Sequence, residues 1–267
     1  MKFVLCLLVM GIVSSLHAQV HKGITVVQPS FVVGAVPTGK PFTLGIRLKM
    51  EPGWHTYWKN PGDAGLPLTV EAVDANGLSF GELRFPTPHK ISTGEVATYG
   101  YEDEVVYLLP VKPGNAAAAK HFKVKLSWLV CKEVCLPATA TLEFNADSLK
   151  PDQLKENQRQ LDRWTARLPQ PGAGFNLDKA GATYTLEKNG KLKVTMKFFE
   201  VAPGTVTDFF PEEIPDFVID YSSIIVTPDL VSMIVEPSTP NATLKTITGL
   251  AMIGTSGYEV AITASKQ

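Results

Sequence analysis

The sequence predicts a mainly β protein of two β-sandwich domains joined by a short helix. Three observations predict it. Short segments of alternating apolar and polar residues, broken by Gly, Pro and Asn, fill the chain up to about residue 147. No helical period occurs before residue 150. After one helical interruption, residues 148–172, the same β patterning resumes and runs to residue 267.

Composition sets the frame. The 267 residues suffice for one large or two ordinary domains. A hydrophobic share of 45% with 19% charged residues belongs to a globular chain. A net charge of −1 gives no electrostatic reason for nucleic acid as a partner.

Residues 1–18 read as a secretory signal peptide: Lys2, then the apolar run Phe3 to Val13, then Leu16, His17 and Ala18 as a small-residue cleavage site. Cys6 lies within that run, so no lipoprotein anchor is expected. No later run approaches the roughly 20 apolar residues of a membrane span. The mature protein is therefore expected to be soluble, exported and exposed to an oxidising compartment, where a disulfide persists.

The domain over 19–147 opens with strands at Ile24 to Gln28, Phe31 to Ala35 and Phe42 to Met50. In the third, Phe42, Leu44, Ile46, Leu48 and Met50 share one face. Trp54 to Trp58, Leu68 to Val73 and Val105 to Val111 follow. Two loops stand out. Asn60 to Gly65 follows two tryptophans and reads as a structural turn; its single carboxylate, Asp63, is weak grounds for a cation site. Ser92 to Asp103 carries Gly94 and Gly100 as candidate hinges, with Tyr99 and Tyr101 as apolar bodies with polar tips.

His121 to Phe144 is a hairpin with both remaining cysteines at its tip. Phe122, Val124, Leu126, Trp128 and Val130 face one way on the first arm, and Leu136, Ala138, Ala140, Leu142 and Phe144 on the second. Lys132, Glu133 and Val134 suit the loop. Parity sets Cys131 and Cys135 on the polar face, opposite each other, where Cα atoms lie about 4.5–5.5 Å apart and a disulfide could form. By the chain-entropy model, closing a loop of about five residues is worth about 2 kcal/mol, against about 4 for a loop near 60 residues. So short a bridge, set off the core, is a poor staple and favours a redox role. A structural disulfide is the alternative.

Residues 148–172 form the linker. Pro151 suits a first helical turn, Leu154, Leu161, Trp164 and Leu168 recur at helical spacing, and Pro169 and Pro171 end the run. The helix is expected at the junction of the domains. Residues 173–267 make the second sandwich. Asn189-Gly190 predicts a type I′ hairpin between Tyr184 to Lys188 and Lys191 to Phe198. Further strands are expected at Phe217 to Val226, Val231 to Glu236, Thr243 to Leu250 and Tyr258 to Thr263. The acidic and aromatic run Asp208 to Asp216 reads as a solvated loop with buried Phe209 and Phe210, or as a docking loop.

Other chemistries lack their motifs. There is no readable nucleophile triad and no phosphate-binding glycine loop. His55, His89 and His121 follow no metal-ligand spacing with the cysteines, so no metal and no cofactor is expected.

The run Trp128 to Pro137, WLVCKEVCLP, resembles the cysteine hairpin of the periplasmic N-terminal domain of the DsbD thiol:disulfide interchange family. It is closer still to the ScsB branch, as are PGWHTYWKNPGDAG and TYGYEDEV. The resemblance implies an immunoglobulin-like sandwich with Cys131 and Cys135 as a redox-active pair. It implies electron transfer between a membrane thiol reductase and periplasmic thioredoxin-like proteins, in a family linked to cytochrome c biogenesis and copper tolerance. The family's cap loop corresponds to Glu95 through Tyr101, with Glu95, Thr98, Tyr99, Gly100 and Tyr101 as its candidates. The family's phenylalanine is replaced by Thr98, so a capping role passes to Tyr99 or Tyr101. The electron conduit and C-terminal thioredoxin domain of the full reductases have no counterpart here, and a stand-alone soluble form is expected. The rival reading is a non-catalytic tandem-sandwich binding module of the cell envelope.

Overall fold

Alternation along each strand builds the first half around one apolar seam. In a computed structural model, residues 20–21, 24–93, 96–114, 120–198, 201–202, 204–227 and 230–267 are described. The signal-peptide reading of 1–18 and the cap-loop candidate Glu95 lie outside them. The strands β1 (Val20–His21) and β2 (Ile24–Thr25) pair as a short ribbon. Then come β3 (Val27–Val32), β4 (Phe42–Met50), β5 (His55–Gly62), β6 (Thr69–Asp74) and β7 (Leu78–Phe80). They are followed by β8 (His89–Thr93), β9 (Val96–Glu102), β10 (Glu104–Pro113), β11 (His121–Cys131) and β12 (Cys135–Asn145).

These form two sheets. One has the order β3-β4-β10-β7; the other runs β12-β11-β5-β9-β8, with β6 also on β11. The faces read from parity turn inward. Leu44, Ile46 and Leu48 of β4 meet Phe122, Val124, Leu126, Trp128 and Val130 of β11, all buried in one core. Each such side chain contributes about 1.5–3 kcal/mol on burial.

Strand β10 is buried on both faces, Glu104 and the last residues apart. Its outer face is covered by α1 (Pro151–Thr165), which begins at the proline the sequence marked. Leu161 and Trp164 lie in the first core, and Gly45 leaves room for Leu161: a Cβ there would lie 2.9 Å from its Cδ2. Asn157 Nδ2 donates to the Val33 carbonyl (3.1 Å), and Gln160 Nε2 to Glu104 Oε1 (3.0 Å). The helix thus lies on the back of the first sandwich. The helix was expected at the junction; its apolar stripe instead packs on β10 and β3, and the residues just past its end, Ala166, Arg167 and Leu168, line a cavity with Thr207, Asp208, Phe210 and Met252 of the second half.

After β13 (Gln170–Pro171) come β14 (Gly181–Leu186), β15 (Leu192–Lys197), β16 (Asp208–Pro211) and β17 (Phe217–Val226). The last three are β18 (Leu230–Pro237), β19 (Thr246–Ile253) and β20 (Ser256–Lys266). They make one sheet of order β16-β19-β20-β14-β15-β18-β17. It turns at β20, whose residues Ser256 to Thr263 pair with β19 and whose last residues pair with β14. Val194, Met196, Met233 and Val235 from one limb and Ile247, Val260 and Ile262 from the other share a second core. The chain is thus mostly β, in sandwich-like layers with one α-helix.

The β14–β15 turn differs from the type I′ expectation. Gly190 has φ +84°, but Asn189 is not among the residues of positive φ. Glu187 N–H donates to the Lys191 carbonyl, leaving a three-residue loop with glycine in the left-handed position, the form that ends in a bulge.

The halves meet along β5, β9 and β16. Phe209 lies in the second core and its neighbour Phe210 in the first, because successive strand residues point to opposite faces. Tyr99 packs on Phe210 at 4.6 Å between ring centres and on Tyr221 at 5.9 Å. Buried Asn60 donates from Nδ2 to the Pro211 carbonyl (2.7 Å), and its Oδ1 accepts from the Tyr221 hydroxyl (3.0 Å). Lys59 and Glu212 form an ion pair. The run Asp208 to Asp216 therefore contributes a strand and a junction where a solvated loop was expected.

Candidate functional site

Register assembles the site. Cys131 and Cys135 face each other across the hairpin mouth, with Cα atoms 4.1 Å apart, and are bonded. The sulfurs lie on the outer face of their sheet, since Val130 and Trp128 occupy the inner one. The two cysteines differ in access. Cys131 is only 2% exposed, whereas Cys135 is open to solvent beside the exposed Lys132, Glu133 and Val134.

The backbone pairing of β5 with β11 sets His55 opposite Cys131. His55 is in turn opposite Glu102 of β9. One outer-face row therefore runs Cys135, Cys131, His55, Glu102 across four strands. Directly opposed residues project to the same side with Cβ atoms about 4.5–5.5 Å apart. His89 of β8 joins the end of the row, its Nε2 3.2 Å from Glu102 Oε2. His55 is buried, and desolvation holds its pKa below the ordinary histidine value; Glu102 pulls it up and His89 pushes it down. Its Nε2 lies 3.3 Å from the Tyr57 hydroxyl, with the rings edge to face. Burial raises the pKa of Tyr57.

The loop Asn60 to Gly65 supports this row. Gly65, at φ +130°, lies flat on the Tyr57 ring: a Cβ there would sit 2.3 Å from Tyr57 Cδ1. Asp63 Oδ2 accepts from the Ala97 N–H (2.7 Å), and Asp63 N–H donates to the Ala97 carbonyl (3.0 Å). Asp63 thus anchors the start of β9.

The cap-loop candidates take other places. Thr98, Tyr99, Gly100 and Tyr101 lie within β9, a regular strand paired to β5 and β8. Tyr101 is opposite Thr56, one residue out of step with His55, so Tyr101 and Tyr99 point into the core. Tyr101 Oη donates to the Pro86 carbonyl (2.7 Å). Burial raises the pKa of both tyrosines. Their rings occupy the face opposite the sulfurs, which corrects the expectation that they cover the disulfide. Gly100 is no hinge: a Cβ there would lie 2.0 Å from the Thr56 carbonyl oxygen, so glycine permits the close approach of β5 and β9. Thr98 Oγ1 donates to the Ile91 carbonyl.

Comparison with known proteins bears on this geometry. The family described as thiol:disulfide interchange protein DsbD, N-terminal, matches residues 23–147, the stretch that holds the cysteine hairpin and its row. Residues 23–147 are a DsbD N-terminal domain. The N-terminal periplasmic domain of ScsB from Proteus mirabilis shares the fold at a TM-score of 0.71 and 14% identity. That match covers 94% of this chain and 98% of the other, so it takes in the second half as well. An endo-fucoidan hydrolase of glycoside hydrolase family 107 covers 92% of this chain and 39% of its own at 12% identity, with a TM-score of 0.18. Its similarity carries no argument at that score. No curated protein matches the sequence.

Sequence reasoning placed the cysteines opposite each other at the hairpin mouth, where they are bonded. It missed His55, Tyr57 and Glu102 as their neighbours. The signal was the strand parity of PGWHTYW and TYGYED, where His55 and Tyr57 alternate with Thr56 and Trp58, and Glu102 with Tyr101. What parity lacks is the knowledge of which strands lie side by side.

Proposed function

We propose that this protein exchanges disulfides with dithiol partners through Cys131 and Cys135, passing electrons between a membrane thiol reductase and periplasmic thioredoxin-like proteins. The observation that carries the reading is the asymmetric pair: an exposed Cys135 bonded to a buried Cys131 at a hairpin mouth of a DsbD N-terminal domain. Exchange needs in-line access to the sulfur that is attacked, and here only Cys135 offers it, which fixes Cys131 as the sulfur that leaves. A partner thiolate attacks Cys135 Sγ; the S–S bond breaks, Cys131 leaves as thiolate, and a mixed disulfide forms. The partner's second thiol then attacks that bond and frees Cys135. Two electrons pass from partner to pair, and the reverse sequence returns them.

The periplasm is the compartment of this reading. Residues 1–18 would serve as the export signal, the ScsB relative is a periplasmic domain, and among the described residues no helix is long and apolar enough to cross a membrane. In the division of labour, 19–147 carries the chemistry, 148–172 links, and 173–267 forms the second sandwich.

The test is reduction of the folded protein by a mild dithiol, followed by trapping. The Cys131→Ser variant should hold a thioredoxin-like partner as a mixed disulfide through Cys135, and Cys135→Ser should hold far less. A disulfide reducible only after denaturation would sink the reading and leave a structural bridge.

A further inference from the structure

We propose that His55 exchanges the proton of Cys131 during the resolving step, with Glu102 tuning its basicity. The inference rests on the exchange reading and deepens it. It starts from register: Cys131, His55 and Glu102 are consecutive cross-strand neighbours on one face. The backbone register of β5 with β11 is set at that position, so the pairing of the two strands places His55 directly opposite the cysteine, and Thr56 Oγ1 donates to the Leu129 carbonyl (3.1 Å) beside it. Both Cys131 and His55 are buried, and solvent is a poor source or sink of protons for either.

The surroundings fit the role. Desolvation keeps His55 neutral near pH 7, the form that accepts a proton. Tyr57 engages Nε2, and Gly65 packs on Tyr57, so the ring is held in place. The charged and titratable groups around it are Cys131 of β11, Glu102 of β9, His89 of β8, Tyr57 of β5 itself, and Lys132 beyond β11. Lys132 is turned away to the Pro52 carbonyl, its Nζ 3.2 Å from that oxygen. Glu102 Oε2 also lies 3.2 Å from His89 Nε2.

The step balances as follows. Cys135 of the reduced protein has attacked a partner disulfide, giving a mixed disulfide and one released partner thiolate. Cys131–SH then gives its proton to His55. The Cys131 thiolate attacks Cys135 Sγ, the intramolecular S–S bond forms, the mixed bond breaks, and the second partner thiolate leaves. The imidazolium returns its proton to the leaving sulfur or to water. In the opposite direction, His55 imidazolium protonates Cys131 as it leaves.

The test uses the full reduced chain and an aromatic disulfide that releases a coloured thiolate. The first equivalent released reads attack by Cys135; the second reads resolution by Cys131. In the native protein the second phase should rise with pH through the lowered His55 pKa and then level off. A general base contributes about 10²–10⁴-fold where it acts. His55→Ala and the bulk-preserving His55→Gln should therefore slow the second phase at least about tenfold at pH 7 and leave the first unchanged. In both, the rate should instead climb toward the ordinary thiol pKa of about 8.5. Glu102→Gln, which keeps the imidazole, should move the inflection to lower pH. Unchanged second phases in folded His55 variants, or both phases slowed equally with the profile intact, would overturn the proposal. Failure of native protein to release any second equivalent would overturn the exchange reading itself, a different result from either.

Discussion

Gly100 is placed by a contact of its backbone with its neighbour's. A Cβ would lie 2.0 Å from the Thr56 carbonyl oxygen, and that carbonyl cannot swing away while β5 pairs with β9. Gly100→Ala is expected to cost about 1–3 kcal/mol, the range for forced overpacking, read as a lower denaturant midpoint. Tyr99 works in the opposite sense. Its ring is 1% exposed and packs on Trp58, Phe210 and Tyr221. Tyr99→Ala should cost about 3–5 kcal/mol, as for other large aromatic truncations, and should leave alkylation of the reduced cysteines at its native rate. Faster alkylation with stability preserved would restore a capping role for the ring. His55 adds a pH dependence. Its folded pKa lies below the unfolded value of about 6.5. The unfolded chain therefore binds the proton first as pH falls. The contribution is fully present above pH 6.5 and is lost as pH drops through the folded pKa. Denaturation midpoints should fall between pH 7 and 5, and His55→Gln should flatten that fall.

Among the elements, β5 carries the most roles. It presents Trp58 to the core, His55 and Tyr57 to the cysteine face, and Asn60 to the second half. Asn60→Ala would leave the Pro211 carbonyl without its donor and the Tyr221 hydroxyl without its acceptor in a buried place. The expected loss is about 1–3 kcal/mol, with faster proteolysis between the halves as the second readout. Proteolysis unchanged in a folded Asn60→Ala chain would show that the junction is held elsewhere. Strict alternation made Phe42–Met50 and the hairpin of β11 and β12 legible in bounds and register, and Phe217–Val226 has its predicted bounds although its pairing with β18 is irregular between Asp220 and Ile225. β16 was not legible, because four residues with both phenylalanines buried, one in each core, show no alternation to read. The helix was legible by its spacing, but its partner was not: an apolar stripe does not say which open face it will cover.

At the scale of the whole molecule, the question is whether the second half takes part in the redox chemistry. The row Cys135, Cys131, His55, Glu102 is built wholly from β12, β11, β5 and β9, so on the proposed exchange reading the groups expected to set the thiol energetics belong to the first sandwich. The junction touches those strands from the inner face, through Tyr99 and Asn60. A chain ending near Leu149 is a poor test, because it also removes α1 and bares the outer face of β10. A chain ending at Gly172 keeps the helix and loses only Phe210, Leu250, Met252 and Tyr221 from the first core and its margin. It should be less stable than the full chain. Its reduction potential should nevertheless stay within about 30 mV of the full chain's, the span that corresponds to a tenfold change in this two-electron equilibrium. Equilibration against glutathione buffers, with the folded fraction checked by circular dichroism, measures both quantities on one sample. A larger shift in a folded, shortened chain would mean that the second sandwich reaches the cysteines through β5, with Asn60 as the first residue to test.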